Sequence, residues 1–127
     1  MNGGINIEVG CGGGQGLGIL ANVSDKIIGF DIDESNVKIC KNTYKNNTKV
    51  DVKNISANEL YFEKESINSI VLFETIYYLD NVKSLLKKAF SILKENGHLI
   101  ICTANKDWPL FNPSPFSNKY YSVPELN

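Results

Sequence analysis

Three features of the sequence predict an α/β chain built on a doubly wound, mostly parallel sheet. Short apolar runs alternate with segments of helical periodicity. The run Ile67 to Phe73 is nearly continuous in its apolar content, as a central strand covered on both faces is. A glycine cluster directly follows the first run, at the strand end where open parallel sheets bind ligands. With 127 residues the chain has room for one domain of common size and no second.

Ile5, Ile7 and Val9 alternate up to the glycines, and Ile27, Ile28 and Phe30 form a second run that ends at Asp31; both read as buried parallel strands. Between them, Gly16 to Val23 is a short helix that depends on packing, because Gly16 and Gly18 each cost about 1 kcal/mol relative to alanine. Asp33 caps a helix from Glu34 to Tyr44, whose Val37, Cys40, Lys41 and Tyr44 recur at three and four residues. Lys49 to Lys53 alternates as an edge strand should. The clearest helix runs from Asn81 to Glu95 on a stripe of Val82, Leu85, Leu86, Ala89, Phe90 and Leu93, with Asp80 or Asn81 as its cap and Gly97 at its end. His98 to Thr103 is the last strand. Residues 1–103 thus form the sheet core. Residues 104–127 break the pattern, interleaving four prolines with Trp108, Phe111, Phe116, Tyr120 and Tyr121. A solvated linker does not carry five aromatics, so this segment either covers the sheet edge or lines a pocket beside the strand ends. Ser122-Val123-Pro124-Glu125 has the form of a helix start, which leads to the expectation that the natural domain continues past Asn127.

Composition narrows the function classes. A formal net charge of -1 gives no diffuse basic field for a phosphate backbone or an anionic membrane, which disfavours nucleic acid as a partner. No apolar stretch approaches the roughly 20 residues of a spanning helix, and the expected location is the cytoplasm. Cys11, Cys40 and Cys102 lack CxxC spacing and read as reduced thiols, with no metal site expected. His98 lies in an apolar run with no ligand-spaced partner and is read as a strand side chain.

The chemistry sits in Glu8-Val9-Gly10-Cys11-Gly12-Gly13-Gly14, with Asp31 placed 21 residues past Gly10. A bare-backbone turn leaving a strand lets a ligand approach closely, and an acid ending the next strand suits ribose hydroxyls, so a nucleoside-containing cofactor is expected. Glu8 separates the cofactor classes. A pyrophosphate at this turn would face like charge, and the consecutive GxGxxG of dinucleotide sites is absent at the strand's end, so NAD(P) is the weaker case. No GK[ST] follows the glycines, which removes a P-loop. Glu8 suits a cofactor that is cationic near its reactive centre.

These residues resemble motif I of the class I S-adenosylmethionine-dependent methyltransferases, an acid followed by GxGxG. Ile28-Gly29-Phe30-Asp31-Ile32-Asp33 is similar to their second-strand motif, and Glu59-Leu60-Tyr61-Phe62 leading into Ile67 to Glu74 is similar to their passage from the adenine loop to the fourth strand. Leu93-Lys94-Glu95-Asn96-Gly97-His98-Leu99-Ile100-Ile101 resembles their turn into the fifth strand. The resemblance implies a Rossmann-like sheet in the order 3-2-1-4-5, S-adenosylmethionine as cofactor and a small-molecule methyl acceptor. It implies that Gly10, Gly12 and Gly14 shape the loop, with the Cys11 backbone close by and Glu8 supporting the cationic end. Asp31 would accept the ribose hydroxyls, Ile32 would press on the adenine face, Ser56 and Ala57 would border the adenine edge, and Phe73 with Glu74 would sit near the methyl group.

The resemblance assigns no catalytic residue. Tyr77 or Tyr78 would orient a hydroxyl or carboxylate acceptor if they do not simply pack, and Trp108 to Tyr121 is the candidate acceptor segment. The family commonly has aspartate where Ser56 stands. Its helices before motif I and its sixth and seventh strands have no counterpart here, so the chain is expected to be a fragment or one part of a split gene, with a strand edge open to a partner chain or a second copy. Three functions follow: a small-molecule methyltransferase, a nicotinamide-dependent oxidoreductase, or a non-catalytic remnant or partner subunit.

Overall fold

The computed structural model describes residues 3–127. Five strands, β1 (Ile5–Val9), β2 (Lys26–Asp31), β3 (Val50–Asn54), β4 (Ile67–Phe73) and β5 (Leu93–Cys102), form one all-parallel sheet in the order β3-β2-β1-β4-β5. Helices α1 (Gln15–Asn22), α2 (Glu34–Thr43) and α3 (Val82–Ile92) connect the strands, and a short α4 (Val123–Leu126) ends the chain. The predicted Rossmann-like fold and strand order are those observed.

Burial on both faces explains why the strands are apolar in runs. One face packs Ile7, Val9, Phe30, Ile70 and Leu72 against Leu85, Ala89 and Ile92 of α3. On the other face, Ile27 and Val52 meet Leu17 and Ala21 of α1 and Val37 and Cys40 of α2. Strand order reverses about β1, which lies between β2 and β4, so the carboxyl ends of these strands open a crevice there.

The caps follow the sequence. The Asp33 side chain accepts from Ser35 N at 2.8 Å at the start of α2, and the Asn81 side chain accepts from Ser84 N at 3.1 Å at the start of α3. Asn81→Ala is expected to lower stability by about 1 kcal/mol, read as a reduced urea midpoint with an unchanged slope.

The C-terminal end of α3 corrects the sequence reading. The helix stops at Ile92 rather than Glu95, and Leu93 turns extended to pair with Ile67 of β4. Leu93 keeps the helical spacing of its stripe, but pairing with β4 satisfies its backbone and overrides that periodicity. Asn96 (φ 62) and Gly97 then form an irregularity, after which His98 pairs with Ser69. Gly97 therefore belongs to a bulge within β5 and is not the cap of α3.

The tail packs mainly as cover. Tyr120 stacks on Tyr77 at 4.4 Å between ring centroids, and Asn118 donates through its backbone to Tyr77 O at 2.7 Å and through Nδ2 to Tyr78 O and Asp80 Oδ1 at 2.9 and 2.8 Å. The expected helix start at Ser122 is present, with Ser122 N donating to the Glu125 carboxylate at 2.8 Å and Lys106 pairing with the same group at 2.6 Å. Those partners hold the Glu125 carboxyl down to about 2. Trp108, Leu110 and Phe116 are exposed.

Candidate functional site

The glycine loop is fixed by its own amides. Gly10 N and Cys11 N both donate to Phe30 O at 2.7 and 3.0 Å, and Gly12 N donates to Asp31 Oδ2 at 2.8 Å. The loop is thus tied to the end of β2, the strand that supplies the acidic residue. Gly10 has φ 73, and a Cβ there would overlap the Thr75 side chain, whose hydroxyl donates to Gly10 O at 3.3 Å. Only glycine accommodates both the left-handed backbone and the close passage of the turn after β4. Gly14 is the left-handed N-cap of α1; its carbonyl accepts from Tyr44 OH at 2.6 Å, and it lies behind the loop rather than on its open side.

A cavity of about 530 Å³ opens at the strand ends. Asp31, Ile32, Ser56 and Ala57 line one end, Phe73, Glu74 and Tyr78 the other, with Gly10 and Gly12 between. Ile32 is 77% exposed and Phe73 59% exposed, so both are surface apolar groups facing this space rather than core. Asp31 does more than its position suggested. Besides holding Gly12 N, it accepts from Asp33 N at 2.9 Å and from Asn36 Nδ2 at 3.3 Å, all through its carboxylate. Ser56 and Ala57 begin a 3-10 turn in which Glu59 accepts from Ser56 N at 3.0 Å.

A second cavity of about 570 Å³ adjoins the first and shares Gly10, Gly12 and Phe73 with it. Glu8, Cys11, Gln15 and Ile19 line it. Glu8 is 4% exposed and its Oε2 has no hydrogen-bond partner. Burial lifts its carboxyl to about 7. The backbone of Gly16 lies against this carboxyl, where a Cβ would come within 2.5 Å of Oε1. That close approach explains a glycine inside α1. Cys11 and Cys40 are buried thiols, both pushed up by burial, and Cys40 Sγ lies 3.2 Å from Gly12 O beneath the loop.

Ten residues were singled out from the sequence: Glu8, Gly10, Cys11, Gly12, Gly14, Asp31, Ile32, Ser56, Ala57 and Phe73. All but Gly14 line one cavity or the other. Sequence reasoning missed Thr75, Asn36, Asn58 and Asp80, which also line the first cavity. Thr75 and Asp80 carried a signal, because residues just past the end of β4 share the rim with Gly10. The tail segment proposed for acceptor contact lines neither cavity; it braces Tyr77 and Tyr78 from behind. Tyr77 is buried, whereas Tyr78 lines the first cavity. No cluster of His, Cys, Asp or Glu suited to a metal ion occurs among the described residues, and no described helix is long and apolar enough to cross a membrane.

An orphaned buried carboxyl beside a bare-backbone turn fits a nucleoside cofactor whose far end is cationic, since that end supplies the counter-charge Glu8 lacks. Comparison with known proteins points the same way. A family model described as a methyltransferase domain matches residues 7–101. A "probable S-adenosylmethionine-dependent methyltransferase" of Mycolicibacterium smegmatis is 28% identical over 94% of this chain and 47% of its own length. A ubiquinone biosynthesis O-methyltransferase of Pelagibacter ubique is 27% identical over 79% of this chain and 42% of its own. The chain thus spans about half the length of these curated relatives. Among solved structures, the phosphoethanolamine N-methyltransferase 1 of Haemonchus contortus, bound to phosphoethanolamine and S-adenosylhomocysteine, superposes with a TM-score of 0.82 at 14% identity, covering 96% of this chain and 28% of that one. An S-adenosylmethionine-dependent methyltransferase of Mesorhizobium loti superposes with a TM-score of 0.75 at 17% identity, covering 82% and 48%. With three quarters of its length inside the family model, the chain belongs to the methyltransferase-domain family, as a class I S-adenosylmethionine-dependent member.

Proposed function

We propose that this chain binds S-adenosylmethionine across the glycine loop and, within its natural protein, transfers the methyl group to a small organic acceptor. One observation carries this reading: the two cavities meet over Gly10 and Gly12, with Asp31 on one side and the unpartnered Glu8 carboxyl on the other. Asp31, Ile32, Ser56 and Ala57 hold the nucleoside, while Glu8 faces the amino-acid end, whose ammonium and sulfonium offset its charge. A dinucleotide would place its pyrophosphate against Glu8 and meet like charge. The sulfonium supplies an activated methyl group, so the protein's own contribution is alignment of the acceptor and exclusion of water. The relatives named for ubiquinone biosynthesis support a small organic acceptor. The outer edge of β5, which pairs with no other strand among the described residues, is the place we assign to a partner chain.

Calorimetric titration with S-adenosylmethionine, S-adenosylhomocysteine and NADH tests the reading. Binding of NADH alone refutes it, and binding of none favours a non-catalytic partner subunit. Asp31→Ala is expected to weaken S-adenosylhomocysteine binding by about 1.5–3 kcal/mol, roughly 10- to 150-fold. Asp31→Asn, which keeps a carbonyl acceptor for Gly12 N, is expected to retain the loop and lose less. Unchanged affinity in folded Asp31→Ala removes this residue from the site.

A further inference from the structure

The acceptor end of the first cavity has a charge pattern that the cofactor reading does not explain. Beyond the glycine loop it is lined by Phe73, Glu74, Thr75, Tyr78 and Asp80, and no Lys, Arg or His lines the cavity anywhere among the described residues. An anionic acceptor would therefore lie between two carboxylates with no counter-charge supplied by the protein.

Glu74 is held in place by several independent contacts. Its backbone is left-handed, at φ 50, which a non-glycine residue adopts only where its surroundings hold it, and its amide donates to Cys102 O of β5 at 2.8 Å. The hydroxyl of Thr75, the next residue, shares its one proton between Phe73 O at 3.0 Å and Gly10 O at 3.3 Å, which ties this turn to the glycine loop. Tyr77 OH donates to Glu74 Oε2 at 2.9 Å. That phenol is buried, stacks on Tyr120 and lies 4.5 Å from the Tyr78 ring centroid. Burial and the adjacent carboxylate push its ionisation upward, so it stays a donor. One carboxylate oxygen is thus pinned, and the other has no protein donor among the described residues.

Resting on the proposed methyl transfer, the geometry points to Glu74 as the group that receives the acceptor, and to an acceptor that presents an O–H or N–H donor on a neutral or cationic molecule rather than a carboxylate or phosphate. Glu74 accepts the hydrogen bond of the nucleophilic group, and Tyr77 positions Glu74. As the new C–O or C–N bond forms, the S–C bond breaks with its electron pair remaining on sulfur, and the acceptor's proton passes to Glu74 and on to solvent. The aromatic ring of Tyr78 and the carboxylate of Asp80 favour the same charge class.

Four aromatic probes of similar size test this on the full chain saturated with S-adenosylhomocysteine: catechol, phenethylamine, phenylacetate and phenyl phosphate, with binding followed by ligand-observed NMR titration. Catechol and phenethylamine are expected to bind at least tenfold more tightly than the two anions. Glu74→Gln is expected to shrink that gap at least threefold while leaving S-adenosylhomocysteine affinity unchanged. Tyr77→Phe is expected to keep the gap but alter the pH profile of catechol binding. Anions binding as well as the donors, an unchanged gap in folded Glu74→Gln, or no binding of any probe overturns the acceptor inference alone. Failure of S-adenosylhomocysteine itself to bind overturns the cofactor reading and this inference with it.

Discussion

Gly10→Ala is expected to lower folding stability by about 2–5 kcal/mol. An L-residue in the left-handed region costs roughly 1–2 kcal/mol. Forcing a methyl group into a filled space adds roughly 1–3 kcal/mol. Here the space is filled by Thr75, a β-branched side chain that cannot swing aside without releasing its bonds to Gly10 O and Phe73 O. Urea unfolding with fluorescence and circular dichroism as paired probes measures the loss. A double-mutant cycle with Thr75→Ala separates the two contributions, because shortening Thr75 relieves the overlap and leaves the backbone strain. A Gly10→Ala protein as stable as wild type would show that the two turns are not packed as described.

Glu8→Gln is expected to change the pH dependence of both stability and ligand binding. The folded-state value of about 7 lies above the ordinary 4.5 because burial disfavours the anion. Between these two values the folded chain holds a proton that the unfolded chain has released. Stability is therefore highest below pH 4.5 on this account and falls through the window, by about 3 kcal/mol in total once the pH exceeds 7. Cys11, the neighbouring thiol, is likewise pushed up by burial, away from this range, and stays neutral throughout. Glu8→Gln removes the slope, so the variant gains on wild type as pH rises and is the more stable of the two at pH 8. Binding runs in the opposite sense. A cationic ligand needs the anion, so wild-type affinity for S-adenosylmethionine rises with pH up to about 7 and then levels, with close to one proton released per ligand at pH 6. Calorimetry in buffers of different ionisation enthalpy counts that proton. Zero release at pH 6, or a wild type and Glu8→Gln whose stabilities run parallel from pH 5 to 8, would contradict this account.

Much of the architecture was legible because local and tertiary signals agree. The β1, β2 and β4 runs are apolar, their helices carry good caps at Asp33 and Asn81, and the glycine cluster interrupts the pattern at a strand end. Where the two kinds of signal compete, the sequence misleads. Leu93 has the spacing of a helical residue and the partner of a strand residue, and Ile67 decides between them. The cavity lining was legible where residue type and strand-end position coincide, as with Asp31, Gly10 and Gly12. It was not legible where chemistry depends on long-range packing. The position of Thr75 just past β4 places it on the rim but does not announce that its side chain packs on Gly10, and nothing near Tyr77 announces a stack on Tyr120. Gly16 read as a weak spot in α1, whereas its missing side chain is what leaves room for the Glu8 carboxyl.

The bonds from Gly10, Cys11 and Gly12 to Phe30 and Asp31 have a kinetic consequence. Because the loop backbone is anchored to β2 by the chain's own bonds, the proposed capture of the nucleoside needs little chain ordering, and the entropic penalty that slows binding to floppy phosphate or nucleoside loops is largely absent from that proposal. Association is then governed by encounter, and discrimination between charged and demethylated forms of the nucleoside shows up in how fast each one leaves.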